Sequence, residues 1–355
     1  MRALTFVPGK QGTLQVGEVP DPVRRQGDLL VHGLALGICG TDRELLAAEY
    51  GWPPPGGERM VIGHESLGRV LQSPNDSEFS PGDLVVGVVR RPDPVPCGAC
   101  ARGEFDMCRN GRYTERGIKG LNGYGSELWT VEAGYAVRLD PALERVGMLV
   151  EPTSVVAKAW EQIDRIGSRS WFKPHRLLVT GGGPIGLLAA LLGRQRGLEV
   201  HVLDRSPVGE LKSTLVHDLG GIFHSGSTLP DFGDDKPDII IECTGVGELV
   251  MESMTSTSAV GMVCLTGLAP GGRTHRVDAG VINRDIVLEN DVVFGTVNAN
   301  LRHYRDAAAA LAKADAEWLE RLVTRRVPLE RALEAFERGK DVKVVIDLTA
   351  DQSSS

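Results

Sequence analysis

Before residue 150 the apolar positions fall in short runs, "LLVHGLALGI", "SLGRVLQ" and "DLVVGVV", with glycine and proline between them. That pattern predicts short strands joined by turns, an all-β segment. The glycine-rich stretch "NGRYTERGIKGLNGYGSE" predicts a loop. Near residue 175 the pattern changes. "HRLLVT" is a continuous apolar run of the kind buried on both faces of a sheet. "PIGLLAALLGRQRG" predicts a helix, with Pro184 near its start and Gly197 at its end. "LEVHVLD", "PDIIIECTG" and "GMVCLTGLA" predict further strands, with a helical "ELVMESMTSTS" between the last two, and "DVVFGTVN" predicts one more. Strand–helix–strand alternation implies parallel pairing, because a helix is the usual crossover between parallel strands. The alternation stops near Phe294. "HYRDAAAALAKA" and "LERALEAFERG" predict helices, and "KVVIDL" a final strand expected to rejoin the N-terminal β segment. The polar tail "DQSSS" is expected to fray.

Composition narrows the class. With 355 residues, 42% of them hydrophobic, the chain can bury two domain cores. A net charge of −8 gives no reason to expect a nucleic acid or an anionic membrane as partner. No stretch approaches the ~20 apolar residues of a membrane span, and "MRALTFVPGK" lacks the apolar run of a secretory signal. The expected address is the cytoplasm, where six cysteines read as thiols or metal ligands.

"VTGGGPIG" places Gly181, Gly183 and Gly186 in the spacing G-x-G-x-x-G, after a predicted strand and into a predicted helix. Gly181 allows a tight turn, Gly183 lets a pyrophosphate approach the backbone, and Gly186 lets helix and strand pack closely. The free N–H groups of the helix start favour the anion. Asp204, ending the next strand, would accept from ribose hydroxyls and repel a 2′-phosphate, which favours NAD. Arg205 beside it is the group that would carry NADP instead.

The stretch "LGICGTDRE" sets Cys39, Thr41 and Asp42 close together on a glycine-flanked backbone. His64 lies in "IGHESLG" and Glu151 in "LVEPTSV". Cys, His and Glu are all zinc ligands, and three of them leave the fourth position open, as in catalytic zinc. Singly none is unusual. A lone histidine beside a strand is more often a satisfied core or surface residue, and these separations form no local motif.

"GICGTD", "IGHE", "EP", "GGGPIG" and "KVVIDL", in this order, resemble the zinc-dependent medium-chain dehydrogenases/reductases from end to end. "VRRPDP", "YTERGIKGLNGYGSE", "EPTSVVAKA" and "FGTVN" are similar to the microbial glucose dehydrogenases within them. The resemblance implies a fold of class α/β plus all-β. A GroES-like β catalytic domain (1–158, with a return over 295–355) would hold an inserted Rossmann doubly wound parallel-sheet domain (159–294). It implies Cys39, His64 and Glu151 as ligands of a catalytic zinc, with Glu65 an alternative ligand or a neighbour of the ligands. Thr41 becomes the hydroxyl that relays the alcohol proton, and Asp42 the carboxylate that orients His64. Glu115, Glu151 and Asn298 become sugar contacts. Val89 and Val155 fall where some relatives carry a polar sugar contact. Pro184, Ile185, Thr244, Gly267 and Asn298 join the three glycines, Asp204 and Arg205 as cofactor contacts.

The implied reaction is zinc-dependent oxidation of glucose or a close aldose at C1 to the lactone, with hydride passing to NAD or alternatively NADP. The rival readings are a secondary alcohol or polyol dehydrogenase of the same fold, and a non-catalytic dinucleotide-binding protein. In "CGACARGEFDMC", Cys97, Cys100 and Cys108 are three of the four cysteines that a structural zinc lobe of this superfamily usually carries, with Gly103 at the remaining position. Asp93, Glu104 and Asp106 are candidates for the missing ligand of a second zinc. The family forms dimers and tetramers, often by pairing the edges of Rossmann sheets, which points to "GMVCLTGL" and "DVVFGTV".

Overall fold

The computed structural model describes residues 1–269 and 271–349. The tail expected to fray lies outside the described residues. The chain forms two compact units. The first joins Met1–Ser154 to the chain from Asn298 onward, and the second is Val155–Val297.

The first unit is built on the long strand Asp28–Ile38, whose inward residues Leu29, Val31, Leu36 and Ile38 enter the core. Leu4, Phe6, Ile62, Tyr124 and Trp129 pack in the same core. Its sheet runs in the order Ala136–Arg138, Leu84–Gly87, Glu65–Gln72, Asp28–Ile38, Lys343–Asp347, Val323–Pro328, and Leu128–Glu132 also pairs with Asp28–Ile38. The final strand therefore does return to the N-terminal sheet, with Val344 opposite Ile38 and Asp347 opposite Ala35. Close crossing of these strands demands glycine at two points. A Cβ on Gly68 would lie 2.7 Å from both the His32 carbonyl oxygen and the Trp129 ring, and one on Gly33 would run into the Ser126 carbonyl.

The second unit is an all-parallel six-stranded sheet in the order Ile222–Ser225, Glu199–Asp204, Arg176–Thr180, Ile239–Glu242, Met262–Leu265, Val292–Gly295. The chain direction across the sheet reverses beside Arg176–Thr180, the switch point where such sheets bind ligands at their carboxyl ends. Leu178, Leu203, Ile240 and Val263 make its central core with Leu249 of the helix Gly247–Ser253.

Several elements differ from the sequence pattern. "LERALEAFERG" forms a 3-10 helix, Leu329–Phe336, interrupted at Arg331. The predicted glycine-rich loop contains two short strands, Thr114–Arg116 and Gly120–Leu121. The edge strand Ile222–Ser225 and the helix Ala279–Glu289 carry little pattern to read: the first buries one residue and the second none.

Candidate active site

The strand Asp28–Ile38 delivers Cys39 in extended conformation to the start of the short helix Gly40–Leu46. Asp42, in that helix's first turn, is wholly buried and accepts the Cys39 N–H through Oδ2 at 2.9 Å. Its Oδ1 lies 3.4 Å from Nδ1 of His64, and His64 Nε2 lies 3.1 Å from Cys39 Sγ. The carboxylate thus turns the imidazole so that its far nitrogen faces the sulfur. Gly63, at φ 98°, makes the turn that presents His64. Glu65 opens the next strand and forms a buried ion pair with Lys343 of the final strand. A Cβ at Gly37 would overlap the Glu65 carboxylate, so this position admits only glycine while Glu65 keeps its place.

The ligand atoms of Cys39, His64 and Glu65 lie within 4.8 Å of one another. Glu151 is not in this group. It sits at the start of the helix Val150–Gly167, where burial pushes its acid up to about 7, with His64 and Lys343 opposing and Glu65 adding. The geometry therefore assembles Glu65 with Cys39 and His64, the set that the resemblance offered as its alternative.

The cluster suits a divalent cation. Burial raises the Cys39 thiol, with His64 opposing. For His64, burial opposes protonation, but the Cys39 and Asp42 charges outweigh it and hold the imidazole well above its ordinary value. For Asp42 burial works against the carboxylate, and the adjacent His64 outweighs it. Asp42 Oδ1 and His64 Nδ1 are buried without a hydrogen bond. Such a set of sulfur, nitrogen and oxygen donors is what zinc binds. Thr41 is in the helix beside Cys39, and Tyr50 nearby donates to Glu44 at 2.5 Å.

Glu115 and Asn298, far apart in sequence, meet: Asn298 Nδ2 donates to Glu115 Oε1 at 2.7 Å. Asn298 holds the left-handed conformation at φ 61°, which asparagine tolerates better than most residues, and its own Oδ1 accepts from the Ala299 N–H at 2.7 Å. Arg90, which lies in "VRRPDP" but was given no role from the sequence, grips the same Glu115 oxygen from Nε and Nη2 at 3.0 and 2.9 Å. Val89 beside it is buried and apolar.

In the parallel-sheet unit the glycine motif has its expected geometry. Gly181 takes φ 93°, a Cβ on Gly186 would strike the Gly181 carbonyl, and Gly183 has open space where its side chain would be. Pro184 begins the helix Pro184–Gln195, followed by Ile185 in its first turn. Glu242, unforeseen, is fully buried and organises the neighbouring strand ends. Its carboxylate accepts from the N–H groups of Thr244 and Gly245 at 2.8 and 3.0 Å, and its carbonyl from Gly267 at 3.0 Å. A Glu closing the apolar run of "DIIIECTG" was the one signal in the sequence. Asp204 is engaged by the Gly182 N–H at 2.8 Å, the Ser206 hydroxyl at 2.6 Å, and Lys212 Nζ at 3.2 Å from each oxygen. Lys212 offsets the charge that was expected to repel a 2′-phosphate, and Arg205 is exposed alongside. The charge argument for NAD is weakened accordingly.

Cys97, Cys100 and Cys108 form the second converging group among the described residues. N–H groups, first that of Arg109 and then that of Cys100, pull the Cys97 thiol down to about 6. Gly103 has φ 77°, a conformation that a cysteine there would strain to adopt. Asp93 is committed to Val95 and Asn110, and Asp106 to Asn300, while Glu104 is half-buried at the start of the turn Phe105–Met107.

Comparison with known proteins fits this geometry. The family model for the alcohol dehydrogenase GroES-like domain matches residues 25–141, and that for the glucose dehydrogenase C-terminus matches residues 144–348. The chain is 39% identical to a glucose 1-dehydrogenase of Methanocella arvoryzae, covering 99% of this chain and 100% of that one. It belongs to the glucose dehydrogenase family of zinc-dependent medium-chain dehydrogenases. A second member of this glucose dehydrogenase family, from Thermoproteus tenax, is 36% identical over 98% of this chain and 99% of its own. Among solved structures, the Haloferax mediterranei glucose dehydrogenase in complex with NADP, Zn and gluconolactone superposes with a TM-score of 0.89 at 31% identity, covering 99% of this chain and 100% of that one.

Proposed function

We propose that this protein oxidises glucose, or a closely related aldose, at C1 to the lactone, using zinc and NADP or NAD. The observation that carries the reading is the convergence of Cys39, His64 and Glu65 in a chain of this family. When bound, zinc supplies Lewis-acid polarisation of the C1 hydroxyl and the nicotinamide supplies the hydride acceptor. Cys39, His64 and Glu65 hold the metal, and Asp42 keeps His64 in its ligating orientation. Thr41 accepts the proton lost from the hydroxyl and passes it on. Glu115, Asn298 and Glu151 engage the remaining sugar hydroxyls. Gly181, Gly183, Gly186 and the first turn with Pro184 and Ile185 receive the pyrophosphate, with Thr244, Gly267 and Asn298 as further cofactor contacts. Asp204, Arg205 and Lys212 line the adenosine ribose position, where the balance of charge accommodates either cofactor.

Three features support the remaining assignments. The cysteines are free thiols, in keeping with a cytoplasmic setting, and no described helix is long and apolar enough to cross a membrane. Three converging thiols support a second zinc. Val292–Gly295 is an edge strand, and the helix before it exposes Val281, Val287 and Leu288, in keeping with a homodimer or tetramer formed there.

The test is a panel of aldoses, polyols and secondary alcohols with each nicotinamide, before and after chelation. Glucose should be turned over best, activity should disappear with the metal, and added zinc should restore it. Faster turnover of polyols, or full activity after zinc is removed, overturns the reading.

A further inference from the structure

The glucose dehydrogenase reading gives Glu115 to the sugar, but Glu115 is not free to swing. Its Oε1 already receives three N–H groups: Nε and Nη2 of Arg90 and Nδ2 of Asn298. No described donor reaches Oε2, and the side chain keeps 10% of its surface exposed. One oxygen is anchored and the other is left to accept a hydroxyl. Arg90 is itself held on every side. It is buried, its guanidinium lies 3.7 Å from the centre of the Tyr113 ring, and its Nη1 donates to the Asp106 carbonyl at 2.9 Å. Asp106 belongs to the short turn that leads into Cys108, and its Oδ1 accepts from Asn300 Nδ2 at 2.7 Å. Asn300 lies two residues beyond Asn298. The ring of contacts thus closes: Glu115, Arg90, Asp106, Asn300 and, along the chain, Asn298.

We propose that Arg90 is a positioning residue for the sugar site, fixing Glu115 so that Oε2 faces the substrate, and that Asp106 ties this fixture to the cysteine lobe. This rests on the aldose reading above. A buried carboxylate without a partner would otherwise turn toward solvent. The planar guanidinium holds it in place, because Nε and Nη2 converge on Oε1 and leave Oε2 aimed away from them. A lysine at this position keeps the charge and loses the fork, so it separates orientation from neutralisation.

The experiment measures glucose kinetics and NADPH binding for Arg90→Lys, Glu115→Ala and the double variant, alongside Tyr113→Leu. The inference expects Arg90→Lys to raise KM for glucose tenfold or more while kcat changes less than threefold and NADPH affinity is unchanged. Tyr113→Leu, which removes the ring beneath the guanidinium but leaves the ion pair, should give the same split at smaller size if Arg90→Lys does not fold. In the Glu115→Ala background, Arg90→Lys should add nothing to KM. Wild-type KM in both Arg90→Lys and Tyr113→Leu, or an Arg90→Lys effect that persists undiminished without Glu115, overturns the inference. An absence of aldose turnover in the wild-type enzyme would instead overturn the function proposed above, and an unaltered KM in Glu115→Ala would overturn the sugar role of that residue.

Discussion

Glu65 and Lys343 show what single residues contribute. Both are 1% exposed and they pair only with each other among the described ion pairs, so removing one strands a charge in the core. Lys343→Met should destabilise the protein by about 3–5 kcal/mol, the usual cost of breaking a buried pair. Adding Glu65→Gln should recover most of that stability while lowering zinc content, since a proposed ligand is lost as the charge is removed. Thermal melting and metal analysis of the two variants check this. Gly37→Ala should also lower zinc content, because its Cβ needs the space of the Glu65 carboxylate. At this scale the sequence was partly legible. Cys39, His64 and Asp42 were named through resemblance, and the structure brings them together. Glu65 was weighed below Glu151 because adjacency to His64 says nothing about which way a side chain turns. Arg90 and Glu242 went unread because burial of a charged residue is visible only once the strands around it are in place.

Among the elements, the strand Glu199–Asp204 carries a polar cluster in which Glu199 meets His201 and, from the neighbouring strand, Arg176. Hydrogen bonds from Arg176 first, and then from His201, pull the Glu199 carboxyl down to about 2 from the ordinary 4.5. A carboxyl depressed in the folded state contributes stability that is complete above its unfolded value and declines as pH falls through its folded one. The melting temperature should therefore drop between pH 4.5 and about 2, and Glu199→Gln should flatten that part of the profile. Elements with strong periodicity, such as Arg176–Thr180 and Pro184–Gln195, were legible in the sequence because both bury a continuous apolar surface. A helix at Leu329–Phe336 was legible from its apolar spacing, but its 3-10 form was not, since the backbone departs from helical geometry at Arg331. The strand Ile222–Ser225 was invisible because an edge strand of four residues needs only one buried side chain.

At the scale of the whole molecule, the two units differ in how they are strung. The second is one continuous segment with its own core, whereas the first is assembled from both ends of the chain. Cutting the chain after residue 342 should leave the parallel sheet folded and unfold the first unit, because Asp28–Ile38 would lose its neighbour. Hydrogen exchange on the truncated chain should show protection kept at Leu178 and Ile240 and lost at Val31 and Leu36. Loss of protection in both units would contradict the expectation. The return of the last strand was legible because the β-α-β alternation ended well before the chain did.

The position of Lys343 also sets an order of events during synthesis. The counter-charge for Glu65 is synthesised long after it, in the strand Lys343–Asp347. Until then a nascent chain carries Cys39, His64 and Glu65 without the ammonium that pairs with Glu65, and without the neighbour that closes their sheet. Zinc loading at the proposed site is accordingly expected to await synthesis of the strand Lys343–Asp347.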